Sequence, residues 1–173
     1  MTPAGHRRLI LTRHAKSSWD DPTTADKDRP LNARGRVAAR ELGDFLASRG
    51  LEPEEVLCST ARRTRETWEG VASAVLETRP PVHFIDALYQ ATPDTILAEL
   101  RKATAPSVMV IAHNPGIGDF AASLPARPNY DPDFRKYPTC ATLIIDFQIE
   151  DWSQLAPGQG SMLDFFTPAT RGK

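Results

Sequence analysis

The sequence predicts an α/β fold, a three-layer α/β/α sandwich with a mainly parallel central sheet. Four compact apolar runs with β-branched residues are typical of short buried strands, at residues 9–12, 55–58, 108–112 and 141–147. Between these runs lie segments whose apolar residues recur three or four positions apart, which is the period of an amphipathic helix. Because strand and helix alternate along the chain, we expect helices on both faces of the sheet.

The first half of the chain predicts two strands, each followed by a helix. The strand at 9–12 precedes a helical pattern made by Val37, Ala38, Leu42, Phe45 and Leu46. The strand at 55–58 precedes a second helical pattern that runs from residue 61 to residue 75. Each pair is the beginning of a parallel strand–helix–strand unit.

The second half adds two further strands and a segment rich in proline. Weaker apolar runs at 82–85 and 162–166 predict edge strands, and Pro80-Pro81 marks a break between elements. The segment 124–139 carries four prolines, at positions 125, 128, 132 and 138, and has little periodicity. We expect this segment to be a long surface excursion that shapes the mouth of a substrate site.

Length and composition predict one domain over residues 1–173 and exclude several classes of protein. The chain has 21 Lys plus Arg against 22 Asp plus Glu, a net charge of −1, which argues against a nucleic-acid partner. Cys58 and Cys140 lie in apolar stretches, so we expect buried, reduced thiols. The apolar run near the N-terminus is too short for a signal sequence or a membrane span, so we expect a cytoplasmic protein with no membrane partner. The sequence predicts no oligomeric state.

Three strand-end junctions share an unusual chemistry. In an open parallel sheet, ligands bind outside the carboxyl ends of the strands, and those ends are followed here by residues 13–18, 59–65 and 113–116. The junctions contribute histidines, arginines and hydroxyl groups. Asn114 is a favoured N-cap and Pro115 a favoured first helical residue, so we expect a helix to start there with its positive end toward the crevice. This set of groups predicts a site for a phosphoryl group.

A histidine in such a site can attack phosphorus, because neutral imidazole is a competent nucleophile near neutral pH. His14 and His113 are both candidates, and the residues alone do not choose between them. They also do not decide which of Arg62, Arg63 and Arg65 faces the ligand.

These junctions resemble motifs of the histidine phosphatase superfamily, which is phosphoglycerate-mutase-like in fold. Residues 9–17, LILTRHAKS, are similar to the family's strand and Arg-His-Gly signature, with Ala15 in the glycine position. Residues 28–31, DRPL, with Gly35, and residues 59–67, STARRTRET, resemble the following two motifs, and residues 113–116, HNPG, resemble the motif of the second histidine. The chain is most similar to the small SixA-like phosphohistidine phosphatases.

The resemblance implies a metal-independent phosphatase without a cofactor. It implies that His14 is the nucleophile and forms a covalent phosphohistidine, and that Arg13, Arg63 and protonated His113 hold the phosphoryl oxygens. It further implies that Ser17 and Asn114 contact the substrate, which is a phosphorylated protein or a small phosphorylated compound.

Two departures from the family pattern bear on the substrate. Residues 85–91 contain no clear equivalent of the acid that protonates an ester oxygen, and Asp20 is only a guess for that role. An imidazole is a better leaving group than an alcohol, so the missing acid favours protein phosphohistidine as the substrate.

Other functions remain open at this point. The alternatives are a phosphatase or mutase of small metabolites and a non-catalytic phosphoryl-binding module. A zinc site from both cysteines and both histidines lacks the paired spacing of structural zinc motifs. Trp19, Trp68 and Trp152 are interpreted as packing residues.

Overall fold

The structure, a computed structural model, describes residues 4–75 and 79–169. Its single sheet has six strands: β1 (Arg7–Arg13), β2 (Glu55–Ser59), β3 (Val82–Ile85), β4 (Ser107–Ala112), β5 (Thr142–Phe147) and β6 (Ser161–Phe166). Their spatial order is β3-β2-β4-β1-β5-β6. The first four strands in sequence pair in parallel, whereas β5 pairs antiparallel with both β1 and β6. The four predicted strands are confirmed, and both weaker runs are edge strands as expected.

Five α-helices accompany the sheet in the described residues: α1 (Ala33–Ser48), α2 (Arg62–Val75), α3 (Pro93–Leu100), α4 (Gly116–Ser123) and α5 (Pro132–Lys136). Both predicted helical patterns correspond to α1 and α2. The Asn32 side chain caps α1 by accepting from the Gly35 amide, and the Thr92 side chain caps α3. None of the helices in the described ranges is long and apolar enough to cross a membrane.

The core has two layers because successive strand residues point to opposite faces of the sheet. On one face, Ile10 packs in a cluster with residues of α1 and α2, such as Leu42 and Val71. On the other face, Leu9 and Leu11 pack with residues of α3, α4 and α5. The result is the predicted α/β/α sandwich with a mainly parallel sheet. Both cysteines are free and buried, in agreement with the sequence.

Two details differ from the sequence prediction. Helix α4 begins at Gly116, its N-cap position is Pro115 without a side-chain cap, and the Asn114–Pro115 peptide bond is cis. The segment 124–139 is not simply a surface excursion, because it contains helix α5 and buries Phe134 and Tyr137 in the core. The Tyr137 hydroxyl donates to the Leu11 carbonyl and accepts from the Leu143 amide, which ties this segment to the sheet.

Candidate active site

The order of the strands brings the three polar junctions together. Strand β4 lies between β2 and β1, and Arg13 at the end of β1 is in register with Ala112 at the end of β4. The carboxyl ends of these parallel strands therefore open onto one cleft of about 300 Å³. Its lining residues are Arg13, His14, Lys16, Ser17, Trp19, Asp26, Arg29, Arg63, Gln90, His113, Asn114 and Thr139.

His14 is held in one tautomer at the floor of this cleft. The side chain is 6% exposed, and its Nδ1 lies 2.7 Å from the carbonyl oxygen of Ala15. A carbonyl oxygen can only accept, so Nδ1 carries the hydrogen and Nε2 keeps its lone pair. Burial lowers the pKa of His14 well below its ordinary value, and the charges of His113, Arg13 and Arg63 act in the same direction against the bond to Ala15. His14 is therefore a neutral imidazole with a free Nε2.

His113 faces His14, with 5.3 Å between the ring centroids. Its Nε2 lies 2.7 Å from the Ser59 hydroxyl, and its Nδ1 is buried without a hydrogen-bond partner. Burial and the charge of Arg63 lower the pKa of His113 to about 3, although Asp26 acts in the opposite direction. Without a phosphoryl group in the cleft, burial and the charge of Arg63 therefore favour the neutral ring; the expectation that His113 is protonated when it holds a phosphoryl group stays a prediction.

Among the three arginines at the start of α2, the structure places Arg63 in the cleft. Arg63 is 5% exposed and donates from Nη1 to the Asp26 carbonyl at 2.7 Å and from Nη2 to the Asp26 carboxylate at 3.0 Å. Arg62 and Arg65 are exposed, and Arg62 pairs with Glu66. The sequence alone did not decide which of the three arginines faces the cleft, and the orientation of α2 in the structure selects Arg63.

Three nitrogen atoms of the cleft residues have no partner. Arg13 donates from Nη1 to the Tyr137 carbonyl at 3.2 Å, but its Nε is buried and unpaired. The Nε of Arg63 and the Nδ1 of His113 are in the same condition. Buried polar groups are normally satisfied, so the two unpaired guanidinium donors, beside an imidazole nitrogen that donates when protonated, favour an anion as the ligand of the cleft.

Asp26 and Arg29 are cleft residues that the sequence reasoning missed. The Asp26 carboxylate accepts from Arg63, from Arg29 at 3.1 Å and from the Tyr89 hydroxyl at 2.5 Å. The bond from Tyr89, with those from Arg29 and Arg63, holds the pKa of Asp26 far below its usual range against the effect of burial. The signal for Arg29 was present in the DRPL motif, but Asp26 lies outside any motif.

Ser17 and Asn114 line the cleft, and both side chains already have protein partners. The Ser17 hydroxyl accepts from Arg29 at 2.6 Å. The Asn114 amide donates to the carbonyls of Tyr137 and Lys136 and accepts from the Gly118 amide. Asn114 thus joins the start of α4 to the residues at the end of α5. This structural role is observed, and the expected contact with the substrate stays a prediction.

Asp20 does not line the histidine cleft. It lies in a neighbouring groove with Arg29, Asp28 and Arg62, and its backbone amide donates to the Ser18 hydroxyl oxygen in a local turn. Asp26 is therefore the carboxylate in the lining of the histidine cleft. Across the described residues, no three His, Cys, Asp or Glu side chains are grouped so as to hold a metal ion.

A larger groove, of about 880 Å³, lies between the 125–130 segment and β6. Arg127 and Asp146 are the charged residues of its lining, and Asp146 is paired with Arg8 at 2.8 Å. The lining of this groove contains no histidine, whereas the smaller cleft contains both candidate catalytic histidines.

Comparison with known proteins agrees with this geometry. Residues 9–89 match the model of the histidine phosphatase superfamily (branch 1). An uncharacterized protein of Mycobacterium leprae is 33% identical over 166 residues, which cover 90% of this chain and 99% of that relative. An uncharacterized chloroplastic protein of Arabidopsis thaliana is 39% identical over 130 residues, or 68% of this chain, and the match spans 59% of that relative's length.

A solved structure from Nakamurella multipartitia, described as a candidate phosphohistidine phosphatase SixA, is also similar. It has a TM-score of 0.79 at 29% identity, with 96% of this chain and 99% of that chain covered. A likeness of this extent covers the sheet, its helices and the strand ends that form the cleft. The chain belongs to the histidine phosphatase superfamily and is a SixA-like phosphatase.

Proposed function

We propose that this phosphatase acts without a metal through a covalent phosphohistidine on His14, and that its substrate is phosphohistidine in a protein. The observation that carries the proposal is the tautomer of His14. The bond from Nδ1 to the Ala15 carbonyl, 2.7 Å long, directs the lone pair to Nε2 and keeps the ring ready to attack. The SixA name of the similar structure supports the same substrate.

In the first step, the lone pair of His14 Nε2 forms a bond to phosphorus. The bond from phosphorus to the substrate's imidazole nitrogen breaks, and its electron pair returns to that nitrogen. If the substrate ring carries a proton on its other nitrogen, it leaves as neutral imidazole and no further proton is needed. The His14 ring then bears the positive charge, and its Nδ1–H bond to Ala15 stabilises it.

In the second step, water attacks phosphorus and His14 leaves as neutral imidazole. The proton of the water passes to the phosphate or to solvent, so that the cycle returns His14 to its starting tautomer. The unpaired Nε atoms of Arg13 and Arg63 donate to the phosphoryl oxygens, and the unpaired Nδ1 of His113 donates once that ring is protonated. Burial and the charges of Arg63 and Arg13 keep His113 neutral, and two negative charges on the phosphoryl group offset those guanidinium charges and favour a protonated ring.

The absence of a free carboxylic acid from the cleft lining favours an imidazole leaving group. Asp26 is the carboxylate among the lining residues, and it is ionised and bonded to Tyr89, Arg29 and Arg63. An alkoxide leaves slowly without a proton donor, whereas neutral imidazole leaves readily. Exchange of a phosphoryl group between two imidazoles is also close to thermoneutral, which suits a site built around a histidine nucleophile.

The test compares a phosphohistidine protein, phosphoramidate and several sugar phosphates as substrates, all in excess chelator. Wild type, His14→Ala and a control, His83→Ala, are assayed for phosphate release; His83 is a half-exposed residue on β3 paired with Glu55. We expect rapid release from the P–N substrates by wild type and by the control, and none by His14→Ala. Activity confined to sugar phosphates would contradict the phosphohistidine substrate and indicate a phosphatase of small metabolites. Activity in His14→Ala, or its loss in chelator, would contradict the mechanism.

A further inference from the structure

The sequence predicted that Trp19 packs in the core, and the structure shows that it does not. It is 70% exposed, whereas Trp68 and Trp152 are buried. Its indole lies at the rim of the cleft whose floor holds His14. A large exposed aromatic side chain beside a catalytic cleft requires an explanation, because its exposure costs hydrophobic free energy.

One face of this indole is already occupied by Arg29. The Arg29 guanidinium carbon lies 3.6 Å from the centroid of the Trp19 ring. Arg29 is itself fixed, since it donates to the Ser17 hydroxyl at 2.6 Å and to the Asp26 carboxylate at 3.1 Å. The indole is therefore held on a rigid support, and its high exposure places the opposite face in solvent.

The position of His14 determines where a leaving group must go. In an in-line displacement, the leaving atom lies on the side of phosphorus opposite the attacking nitrogen. His14 is buried, so a phosphoryl group on Arg13 and Arg63 directs its leaving group outward to the rim. Trp19 is the exposed aromatic ring among the residues of this cleft.

From this arrangement we propose that Trp19 is the platform on which the imidazole ring of the substrate stacks. The inference rests on the proposed phosphohistidine substrate and deepens it, because it assigns recognition of the leaving ring to one residue. A planar ring that is protonated gains both stacking and cation–π attraction from an indole face. A phosphoramidate without a ring gains neither, so Trp19 discriminates between two P–N substrates of similar reactivity.

The first experiment measures kcat/KM for N-phosphoimidazole, which has the ring, and for phosphoramidate, which lacks it. Wild type is compared with Trp19→Ala, Trp19→Phe and Tyr130→Ala; Tyr130 is an aromatic residue of similar exposure in the larger groove. We expect the ratio of the two values to fall about threefold to tenfold in Trp19→Ala and to recover largely in Trp19→Phe. The ratio in Tyr130→Ala should equal that of wild type. Equal ratios in wild type and Trp19→Ala would overturn the proposal.

The second experiment does not depend on turnover. N-phosphoimidazole and phosphoramidate are titrated into His14→Ala and into His14→Ala/Trp19→Ala, and the dissociation constants are measured by calorimetry. We expect the second substitution to weaken binding of the ring compound about threefold to tenfold more than that of phosphoramidate. Equal weakening of both would refute a role for Trp19, even if wild type hydrolysed neither compound. Failure of the proposed function would instead appear as binding without hydrolysis of either P–N compound by wild type.

Discussion

Replacement of Arg63 by alanine is the change that most directly tests the arrangement of the cleft. Arg63 is almost fully buried, and two of its nitrogens are bonded to Asp26 while Nε is unpaired. The same guanidinium lowers the pKa of both His14 and His113. Arg63→Ala therefore removes a proposed phosphoryl ligand and also changes the charge around the two histidines.

The size of the effect follows from how many donors the guanidinium has left for the substrate. An arginine that stabilises a transferred phosphoryl group contributes about 10³–10⁵ in kcat, and a single oxyanion donor about 10²–10³. Because Nη1 and Nη2 already donate to Asp26, we expect the contribution of Arg63 to kcat to lie where these two ranges meet. We expect kcat to fall about 10³-fold, or about 4 kcal/mol of transition-state stabilisation. Arg63→Lys keeps the charge but loses the planar fork, so its loss should be intermediate.

The assay is kcat for phosphoramidate in Arg63→Ala, Asp26→Asn and the double variant, with thermal unfolding to verify the fold. A direct role for Arg63 predicts that Arg63→Ala costs about the same in the wild-type and Asp26→Asn backgrounds. If Arg63 served only to hold Asp26, Asp26→Asn alone would be as damaging and the second change would add little. A kcat within tenfold of wild type in Arg63→Ala would refute the reasoning.

Three further predictions concern stability. His113 is neutral when folded, with a pKa of about 3, but protonates below about pH 6.5 when unfolded, so the unfolded state binds more protons between those values. Stability should therefore decrease as pH falls through this window, by up to about 1.4 kcal/mol per pH unit, and His113→Gln should flatten that slope in urea titrations. The lowered pKa of Asp26 acts in the same direction at lower pH, since its ionised state stabilises the fold above about pH 4 and this stability is lost as pH falls further. Asp26→Asn should cost about 1–2 kcal/mol at pH 7, after allowance for partial exposure, and less at pH 3; an equal cost at both would count against the ion pairs. Finally, a Cβ on Gly35 would lie 2.1 Å from the backbone oxygen of Lys16, so Gly35→Ala should lower the melting temperature by several degrees, and an unchanged value would mean that the loop can yield.

Local patterns in the sequence predicted the sheet because each strand is a short apolar run bounded by polar junctions. They predicted both edge strands for the same reason. The rule that ligand sites lie at carboxyl ends of parallel strands grouped the three junctions, and the structure brings Arg13, His14 and His113 of these junctions into one cleft. The choice of Arg63 over Arg62 and Arg65 required alignment with the family motif. The period of a helix alone does not say which of its sides faces the sheet and the cleft.

What could not be predicted depends on contacts between distant segments. Asp26 meets Arg63 across 37 residues of sequence and Tyr89 across 63, and no local pattern encodes such a meeting. Asn114 has the composition of an N-cap, but its amide is used by Lys136 and Tyr137, which belong to a segment that the sequence suggested was surface loop. The prediction that Trp19 packs in the core was wrong because a tryptophan is usually buried, whereas this ring is 70% exposed and stacks on Arg29.

The burial and charges of the cleft are compatible with both parts of the proposed mechanism, binding of a dianion and a neutral nucleophile. Burial, with the charges of Arg13 and Arg63, suppresses protonation of His14 and His113, so the proposed nucleophile is not lost to a proton near neutral pH. Asp26 balances part of that charge, because its carboxylate engages two of the arginines and raises the pKa of His113. The same bonds keep Asp26 ionised and therefore useless as an acid. By the proposed mechanism, such a site favours leaving groups that depart without a donated proton, and a ring protonated in advance meets this condition.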